Sequence, residues 1–338
     1  MRRMRIVFRC TASPEIGGGH VGRCIGLADA FAADGHHVLF AVSRETPVSA
    51  PALRTSPHRW IIVEEGVPLE EQLHVSFGRN VDVIVFDHPD TGCEEENAAR
   101  YAASRIVVID DLADRSHDCD MLINSGGSAT QRVYERLVPS ACRLLLGPGF
   151  APMSPRFHAL RPASLARRAQ STGTKAILVS FGLTDPVNAT CRALAALKPL
   201  SPPSVVVAIG AGAPHLVAVR DACAGWAELD IDSMRMPELM ASVDLAIGAA
   251  GSSSWERCCL GLPSLAVTIA DNQRGIADML QRSGAAETMS ILDASIEAMR
   301  RAATSLLADG DRRREMSRAA ASLCDGEGAR RVVEALTR

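Results

Sequence analysis

The chain has 338 residues, of which 36 are basic and 39 are acidic, so its formal net charge at pH 7 is −3. Hydrophobic residues make up 47% of the sequence, which is enough to build the cores of two domains of ordinary size. The near-neutral charge excludes the clustered positive charge that nucleic-acid binding requires, so we expect no nucleic-acid partner.

The sequence predicts neither an export signal nor a membrane span. Arg9 interrupts the first apolar residues, so no signal core forms there. The longest uncharged run, 199–219, contains prolines and glycines that a lipid-spanning helix would not carry. The ten cysteines form no CxxC pair and lie mostly in apolar runs, which is typical of reduced thiols. We therefore expect a soluble cytoplasmic protein without membrane insertion.

Short apolar runs alternate with helical stretches along nearly the whole chain, a pattern typical of parallel α/β layers. In the first half we predict strands at 5–8, 37–42, 82–86, 105–109 and 121–123. In the second half we predict strands at 176–181, 204–209, 244–247 and 264–269. Cys24, Leu27, Ala28 and Phe31 follow the first strand at helical spacing and predict a helix there.

A proline-containing stretch at 150–173 lacks strand periodicity, and we place an interdomain linker within it at 156–172. The result is an N-terminal Rossmann-like domain at 1–155 and a C-terminal one at 173–338. Two such domains are expected to face a cleft at the carboxyl ends of their strands, where open α/β sheets bind ligands. We expect the last helix, from residue 328 to residue 336, to pack back on the first domain.

The first strand leads to a glycine loop, Gly17-Gly18-Gly19-His20-Val21-Gly22, at the start of a helix. The string matches the GxGxxG dinucleotide pattern, so a nicotinamide-dependent oxidoreductase is one alternative. Two features count against that alternative. The loop is longer than a tight Rossmann turn, and the second strand ends at Ser43-Arg44-Glu45, without the acidic residue at the strand end that binds the adenosine ribose. Glycines such as Gly19 let a ligand approach the backbone, so we predict that His20 is catalytic rather than a helix cap.

A second glycine loop follows the strand at 244–247. Gly251, Ser252, Ser253 and Ser254 open a helix there, and Glu256 follows about one turn later. Amide groups, serine hydroxyls and the helix dipole together favour an anion such as a diphosphate, and Glu256 can accept hydrogen bonds from a ribose. The alternative is an ordinary capping box, which needs only one serine. We therefore predict a nucleotide-diphosphate site at 251–256.

Two further loops follow strands of the second half. Asn272 and Gln273 carry amides that both donate and accept, which suits sugar hydroxyls, although a polar helix cap is the alternative. Gly182 begins a third strand–glycine–helix loop, which we place beside the phosphates.

Two strings, Gly17-Gly18-Gly19-His20-Val21-x-Arg23-Cys24 and the run at 248–263, resemble the PseG family. These enzymes are UDP-2,4-diacetamido-2,4,6-trideoxy-β-L-altropyranose hydrolases of pseudaminic acid biosynthesis, related to MurG-type glycosyltransferases. Further matching segments are Ile109-Asp110-Asp111-Leu112-Ala113, Cys119-Asp120-x-Leu122-Ile123-Asn124 and Asp325-Gly326-x-Gly328-Ala329. The resemblance implies a GT-B-like fold, two Rossmann-like α/β domains facing an interdomain cleft.

The resemblance also implies that His20 is the catalytic histidine, and that the 252–256 turn with Asn272 and Gln273 holds a UDP-sugar. The sequence departs from the family at Thr11, where aspartate is usual, and at Pro89, where tyrosine is usual. Both positions belong to loops expected to face the sugar, so the identity of the sugar stays open.

The expected reaction is inverting hydrolysis of a UDP-linked amino or deoxy sugar, with water as the nucleophile and His20 as the base. UDP is already a good leaving group, so we expect neither a metal nor a cofactor. The cluster His117-Asp118-Cys119-Asp120 is the one metal candidate, and we interpret it as an exposed loop. A UDP-sugar-dependent glycosyltransferase and a non-catalytic nucleotide-sugar binding protein are the alternatives.

Overall fold

The structure, a computed structural model, describes residues 2–64, 66–78, 81–127, 130–170, 173 and 176–337. It divides into two compact units. The first unit comprises Met1–Pro155 together with Glu327–Arg338, and the second comprises Arg156–Gly326.

In the first unit, the described residues form one sheet of seven parallel strands. In chain order these are β1 (Arg5–Cys10), β2 (His37–Val42), β3 (Arg59–Ile62), β4 (Val81–Asp87), β5 (Ala103–Ile109), β6 (Met121–Asn124) and β7 (Arg143–Leu146). The order across the sheet is β3-β2-β1-β4-β5-β6-β7, so β1 and β4 are neighbours at the point where the order reverses. Ligands of open α/β sheets bind beside such a point, outside the carboxyl ends of the strands.

In the second unit, the described residues form a sheet of six parallel strands. These are β8 (Ile177–Ser180), β9 (Val205–Ile209), β10 (Glu228–Ile231), β11 (Leu245–Ala249), β12 (Ser264–Thr268) and β13 (Glu287–Ser290). The order across the sheet is β10-β9-β8-β11-β12-β13, so β8 and β11 take the places that β1 and β4 hold in the first sheet.

Helices connect the strands and cover the faces of both sheets. In chain order they are α1 (Gly19–Ala33), α2 (Thr46–Ser49), α3 (Ala52–Thr55), α4 (Leu69–Phe77), α5 (Cys93–Ala99), α6 (Gln131–Tyr134), α7 (Pro155–Gln170), α8 (Ala189–Leu197), α9 (Leu216–Cys223), α10 (Met236–Ser242), α11 (Ser253–Cys259), α12 (Arg274–Ser283), α13 (Ile296–Ala308), α14 (Gly310–Leu323) and α15 (Gly328–Thr337). Short 3-10 turns lie at Pro148–Phe150, Lys198–Leu200 and Asp271–Gln273. In the part of the chain that the structure describes, no helix is long and apolar enough to cross a membrane.

The first sheet is buried on both faces, which is why its central strands are continuous apolar runs. Phe8 stacks on Phe40 with ring centroids 5.1 Å apart, and Phe31 of α1 packs edge-on against Phe8. The helix α15 adds Val332 and Leu336 to this core. Residues 327–337, which the predicted boundaries place in the C-terminal domain, pack with the first unit.

The entry into α15 depends on a glycine. A methyl group added to Gly328 would lie 2.3 Å from the carbonyl oxygen of Ala151, closer than any side chain tolerates. Arg331 then donates from Nη1 to the carbonyl oxygen of Gly149 at 2.9 Å. These contacts fix the last helix against the chain that leaves β7.

Every predicted strand is present, with ends that shift by a few residues. The strands missed from the sequence are β3, β7, β10 and β13, and each is an edge strand. Arg59 and Trp60 of β3 are exposed, and no residue of β13 is fully buried. An edge strand lacks the long apolar run of a central strand, so its sequence does not stand out from a loop.

The predicted linker at 156–172 is helical over most of its length, since α7 extends to Gln170. Residues 171 and 172 lie outside the described residues. Arg168 of α7 is buried and donates to the carbonyl oxygens of Leu260, Val243 and Met240 at 2.7–2.9 Å. The segment is thus an integral layer of the second unit, because arginine side chains satisfy the open carbonyl ends of neighbouring helices.

Candidate active site

The first glycine loop connects β1 to α1 and is held by its own hydrogen bonds. Gly17 has a φ of +77°, a conformation that favours glycine, and its amide donates to the carbonyl oxygen of Ser13 at 2.8 Å. The Ser13 hydroxyl accepts from the amides of Glu15 and Ile16, each at 3.2 Å. Gly19 is exposed and is the first residue of α1, so the loop delivers His20 to the first turn of that helix.

His20 forms a close pair with Asp87, the last residue of β4. The imidazole Nδ1 lies 2.6 Å from Oδ1 of Asp87, and the Asp87 side chain is fully buried whereas that of His20 is 16% exposed. Burial raises the pKa of Asp87, but the charges of Arg23 and His20 outweigh it and hold the pKa well below its ordinary value. Asp87 is therefore an ionised acceptor.

Arg23 completes the cluster from the same face of α1, three residues after His20. Its Nε and Nη2 donate to the two carboxylate oxygens of Asp87, each at 2.7 Å, and its Nη1 donates to Asp111 at 2.8 Å. Burial alone would lower the pKa of Arg23, but Asp111 and Asp87 raise it well above its ordinary value. A two-pronged guanidinium–carboxylate contact of this kind fixes Asp87 in one orientation.

The cluster also fixes the tautomer of the imidazole. An ionised Asp87 can only accept, so the proton of the 2.6 Å contact belongs to Nδ1 of His20. The lone pair of the neutral ring is then on Nε2, away from the carboxylate. An imidazole held in this way can act as a general base, because the carboxylate orients the ring and can stabilise an imidazolium.

The two positions that depart from the family lie close to this cluster in the chain. Thr11 is buried directly after β1, and Pro89 is half-buried two residues after Asp87. Between Asp87 and Pro89, His88 accepts at Nδ1 from the amide of Asp90 at 3.2 Å. Burial, followed by the charge of Arg9, lowers the pKa of His88. Burial therefore favours the neutral form of His88, although the nearby carboxylates of Glu95 and Asp90 oppose the shift.

Asp110 and Asp111, adjacent at the end of β5, have different surroundings. Asp110 is buried and accepts from the amides of Leu112 and Ala113 and from the hydroxyl of Tyr134, at 3.2, 2.8 and 2.6 Å. Those contacts are a local turn and a core hydrogen bond. Asp111 instead contacts Arg23, so it belongs to the histidine cluster while Asp110 belongs to the scaffold.

The second glycine loop, between β11 and α11, has several polar groups without protein partners. Ser252 is the N-cap residue of α11, yet its side chain makes no capping hydrogen bond, so the capping-box alternative does not hold. Within the described residues, the hydroxyls of Ser252 and Ser253 have no partner and both residues are half-buried. Ser254 differs, because it is buried and its hydroxyl accepts from Nη2 of Arg257 at 2.8 Å.

The carboxyl group of Glu256, like the hydroxyls of Ser252 and Ser253, has no partner in the described part of the chain. The residue is half-buried, and burial raises the pKa of its carboxyl group to about 7, with Arg257 opposing the shift. A carboxyl group that is neither paired nor fully exposed can accept a hydrogen bond from a ligand hydroxyl.

Gln273 lies beside the second glycine loop. The side-chain oxygen Oε1 of Gln273 accepts a hydrogen bond from the backbone amide of Ile269 at 3.0 Å. A methyl group added to Gly251 would lie 3.6 Å from Nε2 of Gln273, so this amide nitrogen faces the loop. Asn272 is exposed and without a partner in the described residues. The structure thus brings Gly251, Glu256 and Gln273 to the same end of the second sheet.

The Gly182 loop follows the same strand–glycine–helix design but has an internal partner. Gly182 is exposed with a φ of +94°. Asp185 is buried, and its carboxylate accepts from the amides of Ala189 and Thr190 at 2.9 and 2.8 Å. The first amides of α8 are therefore occupied by a protein carboxylate, whereas the backbone at Gly182 is exposed.

Sequence reasoning missed Arg23, Asp111 and Arg257 as members of these sites. A spacing of three on α1 places Arg23 on the face of His20, and the adjacency of β1 and β4 places Asp87 beside both. The sequence contains the helical signal, but the pairing of strands distant in the chain is a tertiary fact.

The cluster at 117–120, interpreted from the sequence as an exposed loop, is not exposed: His117 and Cys119 are buried, and the cluster is engaged in protein contacts. His117 is buried with Nδ1 2.6 Å from Glu96, and Asp118 pairs with Arg100 at 2.8 Å. Among the described residues, no group of three or more His, Cys, Asp or Glu side chains is arranged to hold a metal ion.

Comparison with known proteins finds distant relatives, and no protein-family model matches the chain. The spore coat polysaccharide biosynthesis protein SpsG of Bacillus subtilis (strain 168) is 25% identical over 281 residues, covering 80% of this chain and 79% of SpsG. The UDP-2,4-diacetamido-2,4,6-trideoxy-beta-L-altropyranose hydrolase of Campylobacter jejuni is 23% identical over 155 residues. That match covers 46% of this chain and 54% of the hydrolase.

Solved structures resemble the whole chain in fold. MurG of Acinetobacter baumannii has a TM-score of 0.66 at 16% identity, covering 98% of this chain and 99% of MurG. Anabaena Alr3699/HepE in complex with UDP and glucose has a TM-score of 0.63 at 14% identity, covering 99% of this chain and all of HepE (100%). The predicted fold class is confirmed: the chain has two parallel-sheet α/β domains of the kind found in GT-B glycosyltransferases.

Proposed function

We propose that this protein hydrolyses a UDP-linked sugar at the anomeric carbon, releasing UDP and the free sugar. The observation that carries the proposal is the His20–Asp87 pair, in which a buried carboxylate held by Arg23 orients an imidazole whose Nε2 has no partner among the residues that the structure describes. Such a pair activates a nucleophile by taking its proton. The names of the C. jejuni hydrolase and of the HepE complex with UDP and glucose support a UDP-sugar as the substrate.

In the proposed reaction, the nucleotide binds to the second unit. The diphosphate occupies the loop at Gly251, Ser252 and Ser253, and Glu256 accepts hydrogen bonds from the ribose hydroxyls. Asn272 and Gln273 contact the sugar-phosphate portion, and the open backbone at Gly182 lies beside the phosphates. The side chains of Ser252, Ser253, Glu256 and Asn272 have no partner in the described residues, and neither does the side-chain amide nitrogen of Gln273. These groups are therefore available to a ligand.

The chemical step balances without a further reactant. Water attacks the anomeric carbon from the face opposite UDP, its proton passes to Nε2 of His20, and the bond from the anomeric carbon to the β-phosphate oxygen breaks. The bonding electrons leave on UDP, whose diphosphate already stabilises negative charge, so no acid catalyst is needed. Gly19 leaves room for the sugar beside His20, and the product forms with inverted configuration.

The finer proposal is that the sugar is an amino or deoxy sugar of nonulosonic acid biosynthesis, of the kind that leads to pseudaminic acid. Thr11 and Pro89 replace the acidic and aromatic residues usual in the resembling family, so we expect the preferred sugar to differ from the family's in the groups that those residues contact.

A glycosyltransferase is the second candidate, since structures with this fold include the glycosyltransferases CalG4 and SpnG. The same imidazole would then take a proton from an acceptor hydroxyl instead of water. Incubation with a panel of UDP-sugars in plain buffer, followed by proton and phosphorus NMR, separates the candidates. Free sugar and UDP in the absence of an acceptor support hydrolysis. Turnover only after addition of an acceptor supports transfer, and binding without turnover supports a non-catalytic nucleotide-sugar binding protein.

A further inference from the structure

Arg257 is a buried cation with an incomplete set of partners. The residue is 2% exposed, and its Nη2 donates to the carbonyl oxygen of Ala249 at 2.6 Å and to the hydroxyl of Ser254 at 2.8 Å. Its Nε is buried without a hydrogen-bond partner, and no carboxylate pairs with it among the described residues. Burial lowers the pKa of Arg257 to about 10, so it remains charged at neutral pH.

Other buried arginines of the second unit are in a different electrostatic position. Arg168 and Arg313 donate to backbone carbonyls at the carboxyl ends of helices, Arg168 to that of Leu260 after α11 and Arg313 to that of Leu307 in α13. The carboxyl end of a helix is the negative end of its dipole, so it compensates a cation. Arg257 instead reaches back toward the amino end of its own helix, where the dipole adds to its charge.

The guanidinium is locked in place beneath the second glycine loop. A methyl group added to Gly248 would lie 2.2 Å from the carbonyl oxygen of Ser180 and 2.9 Å from Nη1 of Arg257. The two acceptors of Arg257, Ala249 and Ser254, bracket the turn that contains Gly251, Ser252 and Ser253. Arg257 therefore ties the two ends of this turn together and places a positive charge under it.

We propose that Arg257 is a positioning residue of the nucleotide site, which fixes the 249–254 turn and supplies the buried positive charge that the ligand's diphosphate neutralises. The inference rests on the proposed function and narrows it: Arg257 acts on the phosphates of the ligand, whereas the ribose is left to Glu256. A buried cation without a counter-ion destabilises the unliganded protein, and an arriving diphosphate relieves that cost.

The test compares UDP with uridine as ligands of Arg257→Met and Arg257→Lys. We expect Arg257→Met to weaken UDP binding about 10–100-fold by calorimetry, a loss in the range of a buried charged contact, and to change uridine binding less than about twofold by NMR titration. Arg257→Lys keeps the charge and should recover part of the UDP affinity, and it remains informative if the methionine variant fails to fold.

Arg168→Met is the matched control, because it also removes a buried guanidinium, which contacts the carbonyl of Val243 before the amino end of β11 instead of Ala249 at its carboxyl end. It should lower the melting temperature while leaving UDP affinity within about twofold of the wild type. Equal losses of UDP and uridine in Arg257→Met, or unchanged UDP affinity, would overturn the inference while wild-type UDP binding stands. Absence of UDP binding by the wild-type protein would overturn the proposed function as well.

Discussion

The two glycine loops of this chain look alike in sequence but differ in how their polar groups are satisfied. Beside the loop after β1, His20, Arg23 and Asp87 are joined by contacts of 2.6–2.7 Å, and each charge has an opposite partner. In the loop after β11, the hydroxyl of Ser252, the carboxyl of Glu256 and Nε of Arg257 have no partner within the described residues. The first arrangement is preorganised to move a proton, whereas the second leaves groups unsatisfied that a ligand can satisfy.

The Gly182 loop shows that the strand–glycine–helix pattern alone does not decide between these outcomes. Asp185 places its own carboxylate on the first amides of α8, so this loop resembles the first in being internally satisfied. This loop differs from the loop after β11 in one acidic residue, Asp185, whose backbone is in the left-handed region with a φ of +40°. The side chains that surround a glycine loop, rather than its glycines, determine its function.

The largest effect is expected from His20→Ala, which removes the proton acceptor but no nucleotide contact. Turnover of the UDP-sugar should fall about 10²–10⁴-fold, because general base catalysis contributes that much. UDP affinity measured by calorimetry should stay within about twofold.

His58→Ala is the matched control for that variant. His58 also pairs with a carboxylate, Asp29 at 2.8 Å, and it lies before β3, away from the glycine loop. Its removal should leave turnover unchanged. Wild-type turnover in His20→Ala would show that the first loop does not supply the base.

The next largest effect is expected from Asp87→Asn, which should lower the free energy of unfolding. The folded-state pKa of Asp87 is held below its unfolded value, so the stability it contributes is present above the ordinary carboxyl range and is lost as pH falls through the folded pKa. The variant should lose about 3–5 kcal/mol of unfolding free energy at pH 7, because Arg23 keeps a buried charge with Asp111 as its one remaining carboxylate partner among the described residues.

Urea unfolding at pH 7 and below pH 4 measures this effect, and the gap between variant and wild type should narrow in acid. Glu64→Gln is the control, since Glu64 forms an exposed ion pair with Arg44 and should contribute about 0–1 kcal/mol. A gap that is independent of pH would contradict an ionised Asp87 as the centre of the cluster.

In the second loop, Glu256→Gln should produce a pH effect of opposite sign. The folded-state pKa of Glu256 is raised to about 7, so its contribution to stability is present at low pH and is lost as pH rises through that value. At pH 8 the glutamine variant should be more stable than the wild type by about 1–3 kcal/mol, and at about pH 4, below the unfolded carboxyl pKa, the two should be nearly equal.

The contribution of Glu256 to stability falls as pH rises, whereas its contribution to UDP affinity should increase. If Glu256 accepts from the ribose as a carboxylate, then the ratio of wild-type to Glu256→Gln affinity for UDP rises between pH 6 and pH 8. The ratio removes the titration of UDP itself, which both proteins share. A ratio that stays flat, measured by calorimetry, would place the ribose elsewhere.

The smallest effects separate the serines of the second loop. Ser252→Ala should weaken UDP binding by several fold, about 1 kcal/mol for one hydrogen bond, without loss of stability. Ser254→Ala should leave UDP affinity nearly unchanged and lower the melting temperature, because the Ser254 hydroxyl already binds Arg257. The reverse order of effects in calorimetry and thermal unfolding would contradict the assignment of these hydroxyls.

The sequence predicted the central strands of both sheets but none of the edges, for a physical reason. Central strands such as β4 are buried on both faces and are continuous apolar runs, whereas edge strands such as β13 are partly exposed and mixed in composition. The stretch at 156–172 was similarly obscure, because α7 packs through arginines and a serine instead of an apolar stripe.

For the candidate site, the sequence indicated which loops carry functional side chains but not which residues from distant strands contact them. His20 and Ser252 stand out because glycines surround them. The partners of His20 come from β4 and from the end of β5, and no local pattern predicts which strands become neighbours of β1. The role of Arg257 was hidden for the same reason, since its acceptors Ala249 and Ser254 are set by the turn and not by spacing.

The most direct test of hydrolysis at the anomeric carbon is turnover in water enriched in oxygen-18. Mass spectrometry of the first-formed products should find the label in the sugar hydroxyl and none in UDP, because water attacks carbon and the phosphate oxygen departs with UDP. NMR of the same products should show the inverted anomer first. Oxygen-18 in the β-phosphate, or no release of UDP until an acceptor is added, would contradict the account.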